Sequence, residues 1–429
     1  MPALRGVGDP GAALKEGGRS AAAGRGRRVR NALVVSQIAL ALILLVGCAL
    51  MVRSFQQLRR VDPGFEPAGI LTLRLSLPDA EYGTPAERAD FYQRALERIR
   101  ALPGVESAGA VSRLPLTGGG SNSSHTFEDF PLEPDEVPPI LATRWASPGY
   151  FETLGIPLVA GRTFEPADHR ELKRNVLVSA ALAERFWPGE SALGRRLSRG
   201  LADDEAWNVI VGVVGSVRDE GLESEPVEAI YYPLMTPADP REEDREAWSP
   251  GSLSLAVRSG VAPGAIAAGV RRAIWTLDPN LPVANVRTMD GVVADARART
   301  AFTMLLLSIA AAVALVLGGV GLYGVIAYAV SRRTQEIGVR MALGAGRGEV
   351  SRMVLRQGLV LAAAGIVLGL GGAAAATHLL RASLFEVSPT DPVTFAAVPL
   401  VLLAIALLAT YLPARRAAAV EPLEALRYE

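Results

Sequence analysis

The stretch Ser331-Arg-Arg-Thr-Gln-Glu-Ile-Gly-Val-Arg-Met-Ala-Leu-Gly-Ala-Gly-Arg-Gly-Glu-Val350 decides the fold of this chain. It is polar and reads as a helix. Glu336 and Arg340 stand one turn apart as an ion pair, and Ile337 and Met341 share one face. Gly344 is placed to stop the helix. On either side lie two of the most apolar segments of the sequence, residues 302–330 and 354–380. A polar helix between two such blocks reads as a short connection between membrane spans.

Two further blocks, residues 32–52 and 393–414, have the same character. A bilayer needs about 20 apolar residues per helix. None of the four blocks contains Asp, Glu or Lys, and the third carries Arg356 only near its start. The 429 residues are half apolar with zero formal net charge, so charge balance gives no reason to expect nucleic acid as a partner. The apolar residues are concentrated in the blocks, which makes this a membrane protein with the lipid bilayer as its first partner.

Arginine placement gives orientation. Arg25, Arg27, Arg28 and Arg30 precede the first block. Arg332, Arg333, Arg340, Arg347, Arg352 and Arg356 lie around the connection between the second and third, and Arg415 and Arg416 follow the fourth. Between the third and fourth there is only Arg381, with Glu386 and Asp391. The positive-inside rule therefore puts both termini and the 331–353 connection in the cytoplasm, and residues 53–300 outside. The expected layout is a cytoplasmic segment 1–31, a span 32–52, an external domain 53–300 and a second span 301–330. Then come the cytoplasmic connection 331–353, a third span 354–380, a short external loop 381–392, a fourth span 393–414 and a cytoplasmic tail 415–429.

The single cysteine, Cys48, sits inside the first span, so no disulfide framework exists. Leu45-Val-Gly-Cys48 resembles a lipoprotein cleavage site, but the basic region before it is long and the apolar run continues to Val52. Cys48 reads as a small packing residue.

The external region reads as an α+β body. Ile70-Leu-Thr-Leu-Arg-Leu-Ser-Leu77 alternates like a half-buried strand. Thr84-Pro-Ala-Glu87 has the spacing of a capping box with proline at the first helical position. Phe91, Ala95, Leu96, Ile99 and Leu102 follow at helical spacing, and residues 105–114 form a second strand, completing a βαβ unit. A similar unit occupies strand 252–258, helix 263–277 and strand 281–286. The two units bracket an inserted β-rich subdomain with short strands such as 175–179 and 207–214. Gly118-Gly-Gly-Ser-Asn-Ser-Ser124 reads as a flexible loop by composition.

No catalytic constellation, metal-ligand spacing or cofactor motif is present in the sequence. His125 follows a run of serines and reads as part of a solvated loop; His169 reads as exposed; His378 ends the third span. The only lysines, Lys15 and Lys173, lie outside any GxxxxGK[ST], so the lysine that a P-loop uses to reach the β- and γ-phosphates is missing.

Four stretches then carry a resemblance. They are Arg30-Asn-Ala-Leu-Val-Val-Ser-Gln-Ile-Ala-Leu40 with Arg53-Ser-Phe55 and Asp62-Pro-Gly-Phe65; Ser147-Pro-Gly-Tyr-Phe-Glu-Thr-Leu-Gly-Ile156 with Gly161-Arg-Thr-Phe164; Arg333-Thr-Gln-Glu-Ile-Gly-Val-Arg-Met-Ala-Leu-Gly-Ala345; and Pro413-Ala-Arg-Arg-Ala417 with Glu421-Pro422. On these the chain resembles the MacB/FtsX-like permeases, membrane subunits of type VII ABC transporters, with an FtsX-like permease region over 301–422. The resemblance implies that the 331–353 connection forms a coupling helix docked on a cytoplasmic ATPase. Gln335, Glu336, Ile337, Gly338, Arg340, Met341, Leu343 and Gly344 match it. It also implies a separate ATPase chain, a second permease unit and, in export systems, a periplasmic adaptor, all at the bacterial inner membrane. The function it implies is export from the periplasmic side. The alternative is a scaffold of the FtsX type that activates an external partner.

Small-residue ridges suggest how the spans pack. Gly365, Gly369, Ala373 and Thr377 are spaced by four on the third span, and Gly318, Gly321 and Gly324 line the second. The ends of the chain also resemble one another. Pro2-Ala-Leu-Arg5 and Asp9-Pro-Gly-Ala-Ala-Leu-Lys15 echo Pro413-Ala-Arg-Arg416 and Glu421-Pro-Leu-Glu-Ala-Leu-Arg427. The chain thus resembles one half of a duplicated orphan permease (the ADOP group), so the second permease unit is expected as a homodimer partner or as a missing first half.

Overall fold

The computed structural model describes residues 10–133, 135–200, 207–238, 246–333, 336, 339, 341, 346–381 and 384–418. The likeness between the two ends falls largely outside them. The chain divides into two compact units, residues 1–59 with 300–429, and residues 60–299.

The first unit is helical. Its elements are α1 (Pro10–Leu58), the C-terminal part of α7 (Met289–Arg332), α8 (Arg347–Leu380) and α9 (Pro392–Ala418). Each contains a stretch long and apolar enough to cross a membrane. Helices suit a bilayer because they satisfy every backbone N–H and C=O within their own segment. Two apolar clusters hold the unit together. One joins Val34 and Ile38 of α1 to Leu322 and Ile326 of α7, Val354 and Leu361 of α8, and Ala406 of α9. The other joins Leu42, Val46 and Leu50 of α1 to Ala373 of α8 and Leu402 of α9. By contrast, α7 turns Leu305, Leu306, Ile309, Val313, Val316 and Val320 outward, a face suited to lipid.

The second unit begins with strand β1 (Ile70–Ser76), helix α2 (Pro85–Arg100) and strand β2 (Val105–Val111). It ends with strand β12 (Ser252–Ser259), helix α6 (Pro263–Trp275) and strand β13 (Val283–Thr288). The capping box forms as the sequence predicts: Glu87 N–H donates to Thr84 Oγ1 at 3.3 Å, and Thr84 N–H to Glu87 Oε2 at 2.9 Å. Neither βαβ unit pairs its own two strands. The sheet order is β13-β1-β12-β2 with every neighbouring pair antiparallel. Each unit straddles a strand of the other, the interleaved arrangement of a split βαβ plait. This placement also corrects the half-buried reading of β1. With strands on both sides, Thr72 is buried and its Oγ1 donates to the Arg287 carbonyl at 3.0 Å. The helices α2 and α6 cover one face through Phe91, Tyr92, Leu96 and Ile99, and Ile266, Val270 and Ile274.

The insertion between β2 and β12 holds the remaining strands. Six of them close into a ring: β4 (Ile140–Ala146), β3 (Ser121–Phe127), β7 (Arg196–Arg199), β8 (Asn208–Val214), β6 (Asn175–Ser179) and β9 (Ala229–Pro233), which returns to β4. Closure leaves none of the six as an open edge. A single pairing, Val111 with Ala146, ties the ring to the plait. Around the ring lie β5 (Leu158–Gly161), the pair β10 (Thr236–Pro237) and β11 (Ala247–Trp248), and short helices α3 (Tyr150–Leu154), α4 (Pro166–Arg170) and α5 (Ala180–Phe186).

Two sequence expectations fail here for one reason. The Ser-rich run does not continue as a flexible loop: Ser121 opens β3, and His125 on it is completely buried between β4 and β7. His169 is not exposed either; at 4% accessibility its Nε2 meets Gln93 Oε1 at 3.2 Å. Polar composition suggested solvent, but ladder pairing and tertiary packing enclose these side chains.

Candidate functional site

The candidate site has two parts, the connection between α7 and α8 and the helix contacts beneath it. Of the eight residues assigned to the coupling helix, Glu336 and Met341 are described; Gln335, Ile337, Gly338, Arg340, Leu343 and Gly344 lie outside the described residues. Glu336 and Val339 are helical and exposed. Glu336 Oε2 stands 3.9 Å from Arg333 Nε, a loose pair one turn back. Met341 turns the other way. It is half-buried and packs on the cluster that contains Val350 and Val354 at the start of α8. The exposed apolar side chain that the structure describes on this stretch is Val339, which the sequence reading passed over because the match to Ile337 and Met341 drew the apolar face elsewhere.

Arginines and tyrosines bind the adjoining span ends to one another. The guanidinium of Arg30 lies 4.2 Å from the Tyr328 ring centre and that of Arg332 lies 5.6 Å from it. Arg416 donates to the Tyr323 hydroxyl at 2.9 Å. The cation–π contact of Arg30 ties α1 to α7, and the Arg416 hydrogen bond ties α9 to α7. At the opposite end Arg53 pairs with Asp391, and the Phe385 N–H donates to Ser54 Oγ at 2.9 Å. Cys48 Sγ lies 3.2 Å from Ser308 Oγ, the packing role expected of it.

The ridge on α8 faces α1. A Cβ placed on Gly365 would stand 2.7 Å from Ile38 Cβ, and one on Gly369 would stand 2.9 Å from Leu42 Cβ and 3.0 Å from the Ala39 carbonyl oxygen. Ala373 continues the ridge and is fully buried beside Leu42 and Val46. The glycines of α7 do not act as one set. Gly321 is met by the Gln37 side chain, whereas Gly318 and Gly324 have open space where a side chain would be. The sequence reading missed Gly358, whose Cβ would collide with Thr410 of α9, and Gly372, which faces Ile43. Both fall outside the four-residue spacing that marked the ridge. Among the described residues no group of three or more His, Cys, Asp or Glu could hold a metal ion.

Against this geometry, two family models match the chain. The MacB-like periplasmic core domain covers residues 32–273 and the FtsX-like permease C-terminal region covers residues 308–422. The first alone spans more than half of the sequence. The chain belongs to the MacB/FtsX-like permeases.

Similar curated proteins agree with this MacB/FtsX-like assignment. The "Probable syringafactin export ATP-binding/permease protein SyfD" of Pseudomonas syringae pv. tomato is 28% identical over 283 residues, covering 65% of this chain and 40% of that protein. The "Macrolide export ATP-binding/permease protein MacB 2" of Aeromonas hydrophila is 28% identical over 296 residues, covering 65% and 42%. The "Uncharacterized ABC transporter permease YknZ" of Bacillus subtilis is 28% identical over 285 residues, covering 66% and 68%. This permease chain thus spans about two-fifths of the length of the first curated relatives it matches. Among solved structures, the periplasmic region of MacB from Actinobacillus actinomycetemcomitans aligns at 12% identity with a TM-score of 0.33, over 53% of this chain and 92% of that one. The extracellular domain of YknZ aligns at 16% identity with a TM-score of 0.32, over 50% and 100%.

Proposed function

We propose that this chain is the permease subunit of an ABC exporter, which passes motion from a separate cytoplasmic ATPase through its spans to the periplasmic domain, and so expels a substrate from the periplasmic side. The observation that carries the reading is the short connection between α7 and α8 in a chain of this family, with Glu336 and Val339 helical and exposed beside span ends rich in arginine. Relatives whose names join ATP binding, permease and export support it. In this reading Val339 supplies the apolar contact, Glu336 and Arg340 set orientation, and Met341 fastens the connection to the bundle. A compact contact concentrates its energy in a few central anchors.

The test is co-purification of the cognate ATPase with the full chain. Val339→Asp changes an exposed side chain and leaves the bundle packing in place. It is expected to reduce ATPase recovery roughly tenfold, the loss of about 1.4 kcal/mol. Neutralising Arg332 and Arg333 is expected to matter less. Full recovery with Val339→Asp, or a greater loss on arginine neutralisation, would point instead to a helix lying on anionic lipid.

A further inference from the structure

The inserted subdomain contains a cavity of about 350 Å³ that the coupling reading does not use. Its walls are Phe127, Phe130, Phe186, Leu132 and Val137, with His125 among its lining residues. The rings are arranged as a group: Phe127 and Phe186 stand 4.0 Å apart between centres, and Phe130 and Phe186 5.6 Å. Phe130 and Val137 are 42% and 77% exposed, so the apolar lining continues out to the surface.

The loop that contributes Glu136 to the lining is acidic. The loop between β3 and β4 carries Glu128, Asp129, Glu133, Asp135 and Glu136. Glu128 is paired with Arg196, and Asp129 with Arg195. Glu133, Asp135 and Glu136 are exposed, and no ion pair reaches them from the described residues. Glu136 Oε2 accepts the Glu133 N–H at 3.3 Å. Among the described lining residues the cation is Arg185, which is paired with Glu228 and lies 5.3 Å from the centre of the Phe186 ring.

His125 adds no positive charge. Its Nδ1 lies 2.9 Å from the Ser123 carbonyl oxygen, which can only accept, so Nδ1 carries the proton. Its Nε2 is buried without a partner among the described residues. Burial, helped by the nearby Arg199 and opposed by the Ser123 hydrogen bond, brings the imidazole down to about 4, so the ring is neutral at physiological pH.

We propose that this cavity binds an organic cation with an apolar, ring-sized body. The exposed Phe130 ring attracts a cation through its quadrupole, the Glu136 carboxylate in the lining adds to that attraction, and the apolar side chains take the body. An anion of the same shape meets like charge at the entrance. The proposal goes beyond the coupling reading, because binding is measured without an ATPase or nucleotide.

The test uses the full chain in nanodiscs of zwitterionic lipid, with empty nanodiscs as the partition control. Three probes share one skeleton and differ in charge: 4-phenylbutylammonium, 4-phenylbutanol and 4-phenylbutyrate. Affinities are read by saturation-transfer NMR titration. The cation is expected to bind about fivefold more tightly than the alcohol, and the carboxylate most weakly. Glu136→Lys, at an exposed loop position, is expected to keep the thermal transition while reversing the order of the two charged probes. Phe186→Ala is expected to weaken all three. An affinity order that ignores charge, an order unchanged by Glu136→Lys, or no binding above empty nanodiscs would overturn the proposal.

Discussion

At the scale of single residues, the clearest structural unit is Asp168. Arg162 grips it through two hydrogen bonds of 2.7 and 2.9 Å, Asn175 Nδ2 donates at 2.8 Å, and the Glu165 N–H donates at 2.8 Å. Burial works to raise this carboxyl, but the four hydrogen bonds outweigh it and hold it at about 2, below the ordinary 3.8. A depressed folded value means that the contribution is complete above pH 4 and disappears as pH falls through about 2. Arg162 is 36% exposed, so solvent screening reduces the worth of the pair to about 1–2 kcal/mol at neutral pH. Asp168→Asn should therefore unfold more easily than the parent at pH 7, and the gap should close near pH 2; a gap independent of pH would contradict this assignment. The Gly161-Arg-Thr-Phe164 stretch was legible as a family feature, but its role was not, because the partner carboxylate is recognised only once α4 is placed beside it. His125 and His169 were misread for a similar reason. Their neighbours in sequence are polar, while the residues that enclose them come from strands and helices distant in the chain.

Among the elements, the long apolar helices and the capped helix α2 could be read directly, since span length and capping are local properties. The glycine ridge on the third span was legible as a pattern, and its partner was not. Spacing by four places Gly365, Gly369 and Ala373 on one face, but only the folded bundle directs that face to α1. Since lipid is as apolar as leucine, this close approach is where the bundle gains its van der Waals contact. Gly369→Leu drives a side chain into Leu42 and the Ala39 carbonyl. It should lower thermal stability in detergent by about 1–3 kcal/mol, the usual cost of overpacking. Gly324→Leu, where a side chain meets open space, should cost far less. Equal effects from the two substitutions would show that the ridge is not a packing surface. The interleaving of the two βαβ units escaped the sequence because strand order depends on long-range pairing, whereas each unit's pattern is local.

For the whole molecule, the account joins a four-helix membrane unit, a MacB-like periplasmic core and a short connection proposed to contact an ATPase. Composition located the membrane blocks, and the four quoted stretches located the family. The closed ring of six strands within the insertion was visible only as scattered short strands, because closure is a property of the pairing set. The central claim is that the connection between α7 and α8 touches a nucleotide-binding subunit. The most direct measurement places a photoreactive phenylalanine analogue at position 339 of the full chain in cells and identifies what it captures by mass spectrometry. The account predicts a covalent adduct with a polypeptide that carries a P-loop, formed at position 339 and absent when the same probe is placed at Val137. Capture of lipid alone at position 339, or of the same polypeptide from both positions, would contradict it.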